Sequence, residues 1–149
     1  MRKPLVVAVV VVLALTVVGP AVTKEWIEKP LLAAAERVLT TMPADFYQLD
    51  PQAAERLMET AKPLVLDVRE KAEWDTERIA GAVHVPIREL PKALDRLPDS
   101  RGAPIVVYCA IGLRGAMATT VLRMWGYTNV RNLRGGLAGW KAANLPVVR

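Results

Sequence analysis

Ile105, Val106, Val107 and Tyr108 form an apolar run of four residues, entered from Pro104 and followed at once by Cys109. A run with no polar alternate position reads as a strand buried on both faces. That is the habit of a central strand in a parallel sheet, because crossover helices cover both sides of such a sheet. Parallel neighbours need long crossovers, so strands must alternate with helices along the chain. The pattern is present. Phe46 to Leu49 reads as a short strand, and Asp50 as the cap of a helix with Pro51 at its first position and Ala54, Leu57 and Met58 facing inward. Leu64 to Val68 and Val83 to Val85 read as further strands, and Arg88 to Leu97 as helical despite Pro91. After the central run come a helix from Gly115 to Trp125 burying Ala116, Thr120, Val121 and Met124, a strand from Val130 to Leu133, and a helix from Leu137 to Ala143. The expected class is α/β, with a central parallel sheet and helices on both faces.

This domain, residues 46–149, is preceded by two segments of different character. Trp26, Ile27, Leu31, Leu32, Ala35, Val38, Leu39 and Met42 recur at helical spacing, with Pro30 in a first turn and Pro43 as the stop, so residues 24–45 read as an amphipathic helical extension. Before it, Arg2 and Lys3 precede an apolar stretch from Leu5 to Val18, broken only by Thr16 and followed by Gly19, Pro20 and Ala21. This is the pattern of a secretory signal peptide over residues 1–23. Counted from residue 5 to Val22, the same stretch has 18 residues, the lower limit for an uncleaved membrane anchor. Either way the remainder is exported, to the periplasm in a Gram-negative cell, and touches a membrane only through this segment.

With 149 residues, 52% of them apolar, the chain can bury a core of its own. One Cys and one His cannot by themselves build a zinc site, and one Cys cannot close an internal disulfide. Charge is uneven. Residues 24–99 hold eleven basic and fifteen acidic side chains, while residues 100–149 hold seven basic and none acidic. The C-terminal third therefore favours small anions or an acidic partner surface. No basic run, aromatic RNA-binding motif or zinc-finger spacing points to nucleic acid.

The chemistry centres on Cys109-Ala110-Ile111-Gly112-Leu113-Arg114-Gly115, between the central strand and a helix. Ligands of open α/β sheets sit at such strand ends. A loop whose N–H groups converge on one spot, with a helix N-terminus beneath and a guanidinium at its end, makes a pocket for negative charge. Placed there beside Arg114, the Cys109 thiolate, the nucleophilic form, is expected to be favoured. Gly112 supplies a bend that a side chain would obstruct. An unpaired thiol in an exported chain is a liability unless its reactivity is used.

Several separated segments carry a family resemblance. Leu64-Val65-Leu66-Asp67-Val68-Arg69-Glu70 with Glu73-Trp74, Ile79 to Pro86 around His84, Tyr108-Cys109 to Arg114, and Leu133-Arg134-Gly135-Gly136 with Trp140 and Leu145-Pro146-Val147 stand in the order of the signatures of single-domain rhodaneses, a sulfurtransferase family. Over residues 46–149 the chain resembles that family. The resemblance implies a five-stranded parallel sheet flanked by helices, and a cycle in which Cys109 holds a sulfane sulfur as a persulfide. The amides from Ala110 to Gly115 would cradle that sulfur, and cyanide, a small thiol or a protein thiol would accept it. It implies no cofactor and no metal. Such a cycle needs a thiolate and a leaving group stable as an anion, with little proton transfer, which suits a chain with no His near Cys109. His84, Asp67, Arg69 and Glu73 then read as scaffold. Four residues separate Cys109 from Arg114, one fewer than in the Cys-x5-Arg loop of the phosphatase relatives. Ala110 and Ile111 occupy positions where many sulfurtransferases carry Arg, Lys or a polar group. The loop rim is thus apolar and suits a persulfide donor on a partner protein or small thiol as well as a small anion. Two other readings are a non-catalytic binding module and a thiol redox protein whose partner supplies the resolving Cys.

Overall fold

A computed structural model describes residues 20–149, with side chains from residue 28 onward. The export segment expected over residues 1–23 lies, for residues 1–19, outside the described residues. Helix α1 spans Pro20–Thr40. Pro30 is internal rather than in a first turn. The helix passes through it with the loss of one i→i−4 hydrogen bond, and the Leu and Ala residues that follow have the propensity to carry it on. None of the described helices is long and apolar enough to cross a membrane. One compact unit spans Val38–Arg149, and residues up to Arg37 form the other.

The larger unit contains β1 (Gln48–Leu49), α2 (Pro51–Ala61), β2 (Leu64–Asp67), α3 (Lys71–Thr76), β3 (Val83–His84), β4 (Ile105–Tyr108), α4 (Leu113–Met124), β5 (Val130–Leu133) and α5 (Gly136–Ala142). The five strands form one sheet in the order β1-β5-β4-β2-β3. All pairings are parallel, with Leu66 opposite both Val107 and Val83, and Val107 opposite Asn132. The expected α/β class is therefore present.

Alternation along the strands builds two cores. Ile105, Val107 and Cys109 face one side with Leu66 and Val68, under Ala118 and Leu122 of α4. Val106 and Tyr108 face the other side with Val65, under Ala54 of α2 and Leu137 and Trp140 of α5.

Four local expectations are corrected. β1 starts at Gln48, not Phe46, because Phe46 and Tyr47 have φ of 51° and 60° and the Tyr47 N–H bonds the Asp45 carboxylate at 2.9 Å in a turn. Asp50 stands at the N-cap of α2 without a side-chain cap bond; its carboxylate instead accepts from Arg134 Nε at 2.6 Å. The segment Arg88 to Leu97 makes two short 3-10 turns, Leu90–Lys92 and Leu94–Arg96, since Pro91 cannot donate within a longer helix. Finally, α4 begins at Leu113 rather than Gly115 and buries Gly115, Ala118, Thr119 and Leu122, while Ala116, Thr120, Val121 and Met124 are half-buried. Apolar residues surround this helix on most sides, so hydrophobicity does not mark its inner face. Size does. A Cβ on Gly115 would stand 2.2 Å from Asn132 Oδ1, so only a glycine lets the helix approach β5 this closely.

Candidate active site

The chain leaves β2 in one direction along the sheet, to β3, and leaves β4 in the opposite direction, to β5. The carboxyl ends of the adjacent strands β2 and β4 therefore flank the crevice where ligands of open α/β sheets bind. Cys109 is the first residue beyond β4 and continues the inward side of Ile105 and Val107, which leaves it 1% exposed.

Its loop is held from behind. The N–H groups of Leu137 and Ala138, at the start of α5, donate to the carbonyls of Cys109 and Ala110 at 2.7 and 2.9 Å. Asn132 Nδ2 donates to Gly112 O at 3.2 Å and to Gln48 Oε1 at 3.1 Å. In a trans peptide N–H and C=O point opposite ways. With those three carbonyls engaged toward α5 and β5, the N–H groups of Ala110, Ile111 and Leu113 are turned to the other side. Gly112 makes the turn possible with a φ of 101°, and its N–H donates to Cys109 Sγ at 3.1 Å. The first N–H groups of α4, from Leu113 to Gly115, have no acceptor within the helix, so its positive end adjoins the sulfur. Gly136 is as demanding: a Cβ there would lie 2.3 Å from Cys109 O.

Arg114 lies in the first turn of α4 and reaches across the crevice to α3. Its Nη1 and Nη2 each donate to an oxygen of Glu73, both at 2.7 Å. Glu73 is itself fixed, since it belongs to a capping box with Glu70 and accepts the Glu70 N–H at 3.0 Å. The Arg114 hydrogen bonds hold the Glu73 carboxyl down to about 2, against the opposing effect of burial. Arg114 is raised, chiefly by Glu73, with burial opposing and Cys109 among its smaller partners. A second pair, Arg88 with Glu70, stands beside the first. Around the loop Ile111 and Leu113 are 71% and 69% exposed, so the apolar rim expected from sequence is present.

The other charged residues at these strand ends are scaffold. Arg69 chelates the buried Asp67 carboxylate through Nε and Nη2 at 2.6–3.0 Å and donates to the carbonyls of Glu73 and Glu77. Burial, then the Asp67 charge, raises the Tyr108 phenol, which accepts the Ile79 N–H at 3.2 Å. His84 Nε2 is 2.9 Å from Arg69 O and its ring stacks on Trp74 at 4.8 Å. The scaffold reading holds for His84, Asp67 and Arg69. Glu73 is paired as well, but with Arg114 across the crevice rather than at the strand end. Asn132 was not singled out by sequence, and no local pattern distinguishes it.

The basic C-terminal third also reads differently once folded. Arg114, Arg131, Arg134 and Lys141 pair with Glu73, Asp45, Asp50 and Glu77, all from the acidic stretch before residue 100. Arg101 and Arg123 lie over the rings of Tyr127 and Tyr47. The charge asymmetry of the sequence is largely complementarity within the domain, and it does not leave a bare positive field.

Comparison with known proteins places this geometry. A model of the rhodanese-like domain matches residues 50–143. A sulfurtransferase of Allochromatium vinosum is 35% identical over 95 residues, which is 64% of this chain and 87% of that protein. The thiosulfate sulfurtransferase GlpE of Actinobacillus succinogenes is 28% identical over 102 residues, 68% of this chain and 90% of its own length. Among solved structures, a rhodanese-related protein of Thermoplasma volcanium superposes with a TM-score of 0.61 at 31% identity, covering 68% of this chain and 96% of that one. The order of the strands, the cysteine loop behind β4 and a family match over more than half of its length agree: the chain belongs to the rhodanese-like domain family.

Proposed function

We propose that the domain is a sulfurtransferase that carries a sulfane sulfur on Cys109 as a persulfide and passes it to a thiophilic acceptor. The observation that carries this reading is the position of Sγ. It accepts from Gly112 N–H at 3.1 Å beside the N-terminus of α4, so the donors that would meet charge developing on sulfur stand in place before any substrate arrives. With thiosulfate as donor, the Cys109 thiolate attacks the outer sulfur, an S–S bond forms to Sγ, and the original S–S bond breaks with its electron pair leaving on sulfite. With cyanide as acceptor, carbon attacks the outer sulfur, thiocyanate departs and the thiolate returns. Neither half needs a general base, in keeping with a His84 committed to Arg69 O. The outer sulfur stands about 2 Å beyond Sγ, so it reaches the loop amides of Ala110, Ile111, Leu113, Arg114 and Gly115 from a cysteine that is itself buried. Both relatives named above, from Allochromatium vinosum and Actinobacillus succinogenes, bear the name sulfurtransferase, the second for thiosulfate.

Intact mass of the purified full-length protein after exposure to thiosulfate or an organic persulfide tests the reading. The gain of one sulfur on Cys109, and its removal by cyanide or a thiol, is expected. A Cys109→Ser protein that turns over at the wild-type rate would overturn it, and failure of every donor to load the thiol would favour a binding module. The charged start and apolar run of residues 1–23 support a second proposal, that this domain works outside the cytoplasm.

A further inference from the structure

We infer that Glu73 sets donor selectivity by occupying the face of Arg114 that a small dianion would otherwise use, so that the site prefers an organic persulfide with an apolar tail to thiosulfate. The inference rests on the sulfurtransferase reading and names its donor class. Arg114 stands at the end of the Cys109 loop, and both of its Nη groups are taken by one carboxylate at 2.7 Å. That carboxylate is not loose. The Glu70 N–H binds the same Oε2 at 3.0 Å, and Arg69 Nη1 binds the Glu73 carbonyl at 3.2 Å. A dianion approaching Arg114 must share the guanidinium with a fixed negative charge or displace it.

The surroundings repeat the arrangement. A depression of about 640 Å³ beside Arg114 is lined by Glu70, Ile87, Arg88, Arg114 and Met117. Its second cation, Arg88, is countered by Glu70, the other member of the same capping box. Both arginines are therefore neutralised from α3, while Ile87 and the exposed Met117, one helical turn beyond Leu113, offer apolar contact. An alkyl chain finds surface here, whereas a compact anion finds both guanidiniums already paired. With such a donor, R–S–SH, the Cys109 thiolate takes the outer sulfur as Cys–S–SH and the alkyl thiolate leaves, so atoms and charge balance.

The test compares steady-state KM and kcat of the full-length protein with thiosulfate and with an alkyl persulfide bearing no carboxylate or sulfonate, using one acceptor. Wild type is expected to have the higher kcat/KM with the alkyl persulfide. Glu73→Gln keeps the side-chain volume and removes the charge. It should lower KM for thiosulfate about tenfold, the scale of one charge-assisted contact, and leave KM for the alkyl persulfide unchanged. Glu73→Asp, which restores the carboxylate, should return the ratio toward wild type, and it serves as the probe if the Gln protein does not fold. An unchanged or raised thiosulfate KM, or an equal fall in kcat with both donors, would overturn the inference by making the pair merely structural. If neither donor loads wild-type Cys109, the sulfurtransferase reading itself falls; loading by both with a ratio indifferent to Glu73 removes this inference alone.

Discussion

At Glu73 the hydrogen bonds from Arg114 outweigh burial and hold the carboxyl at about 2, below its ordinary 4.5. Between those values the folded chain binds fewer protons than the unfolded one, so stability from the pair is complete above about pH 4.5 and is lost as pH falls toward 2. Urea midpoints taken from pH 6 down to pH 2 should show the wild type's margin over Glu73→Gln shrinking through that window, and a margin independent of pH would rule the contribution out. Asp67 offers a harder case. Its carboxylate is wholly buried against Arg69, so Asp67→Ala leaves a buried guanidinium without its counter-charge and should cost about 3–5 kcal/mol in denaturant unfolding. A loss below about 1 kcal/mol would show that the Glu73 and Glu77 carbonyls suffice for Arg69. Among single residues, Cys109 and Gly112 were legible because their neighbours in sequence make their environment. Glu73 was not, since its partner is 41 residues away.

At the scale of elements, the start of α5 supports the cysteine loop, and its glycines differ in kind from glycines elsewhere. Gly136 has a φ of 57° and no room for a Cβ, whereas Gly81 has a φ of 74° and nothing within 4 Å. Gly136→Ala should therefore cost more than the roughly 1–3 kcal/mol of the backbone conformation alone and should abolish persulfide loading. Gly81→Ala should cost only about 1–2 kcal/mol and leave loading intact. Thermal unfolding and intact mass on the two proteins check both statements, and equal losses would deny α5 its supporting role. Strands β4 and β5 matched their sequence limits, β4 because an unbroken apolar run suits burial on both faces. The inner face of α4 and the 3-10 turns around Pro91 were misread. In α4 apolar residues lie on most sides, so their pattern does not pick out the buried ones, and a periodic pattern does not separate one long helix from two short turns.

For the whole molecule, the export proposal predicts that cell fractionation finds the domain in a protease-accessible pool, either released after a cut near Ala21 or membrane-bound at full length. A protein confined to the cytosol with Met1 retained would refute it. What the sequence determined by itself is local: alternating strand and helix patterns, a central strand apolar throughout, and a cysteine loop opening a helix. Each depends on residues a few positions apart, whose steric and hydrophobic preferences act before the chain closes on itself. What the tertiary structure decided is pairing at a distance. The seven basic side chains after residue 100 read as a field for anions until the sheet brings acidic residues from earlier in the chain against four of them. The strand order brings β2 beside β4, and only then do Glu73 and Arg114 face one another across the crevice. Coulomb interactions fall off with distance in space, not along the chain, so the charge at the site followed from the fold.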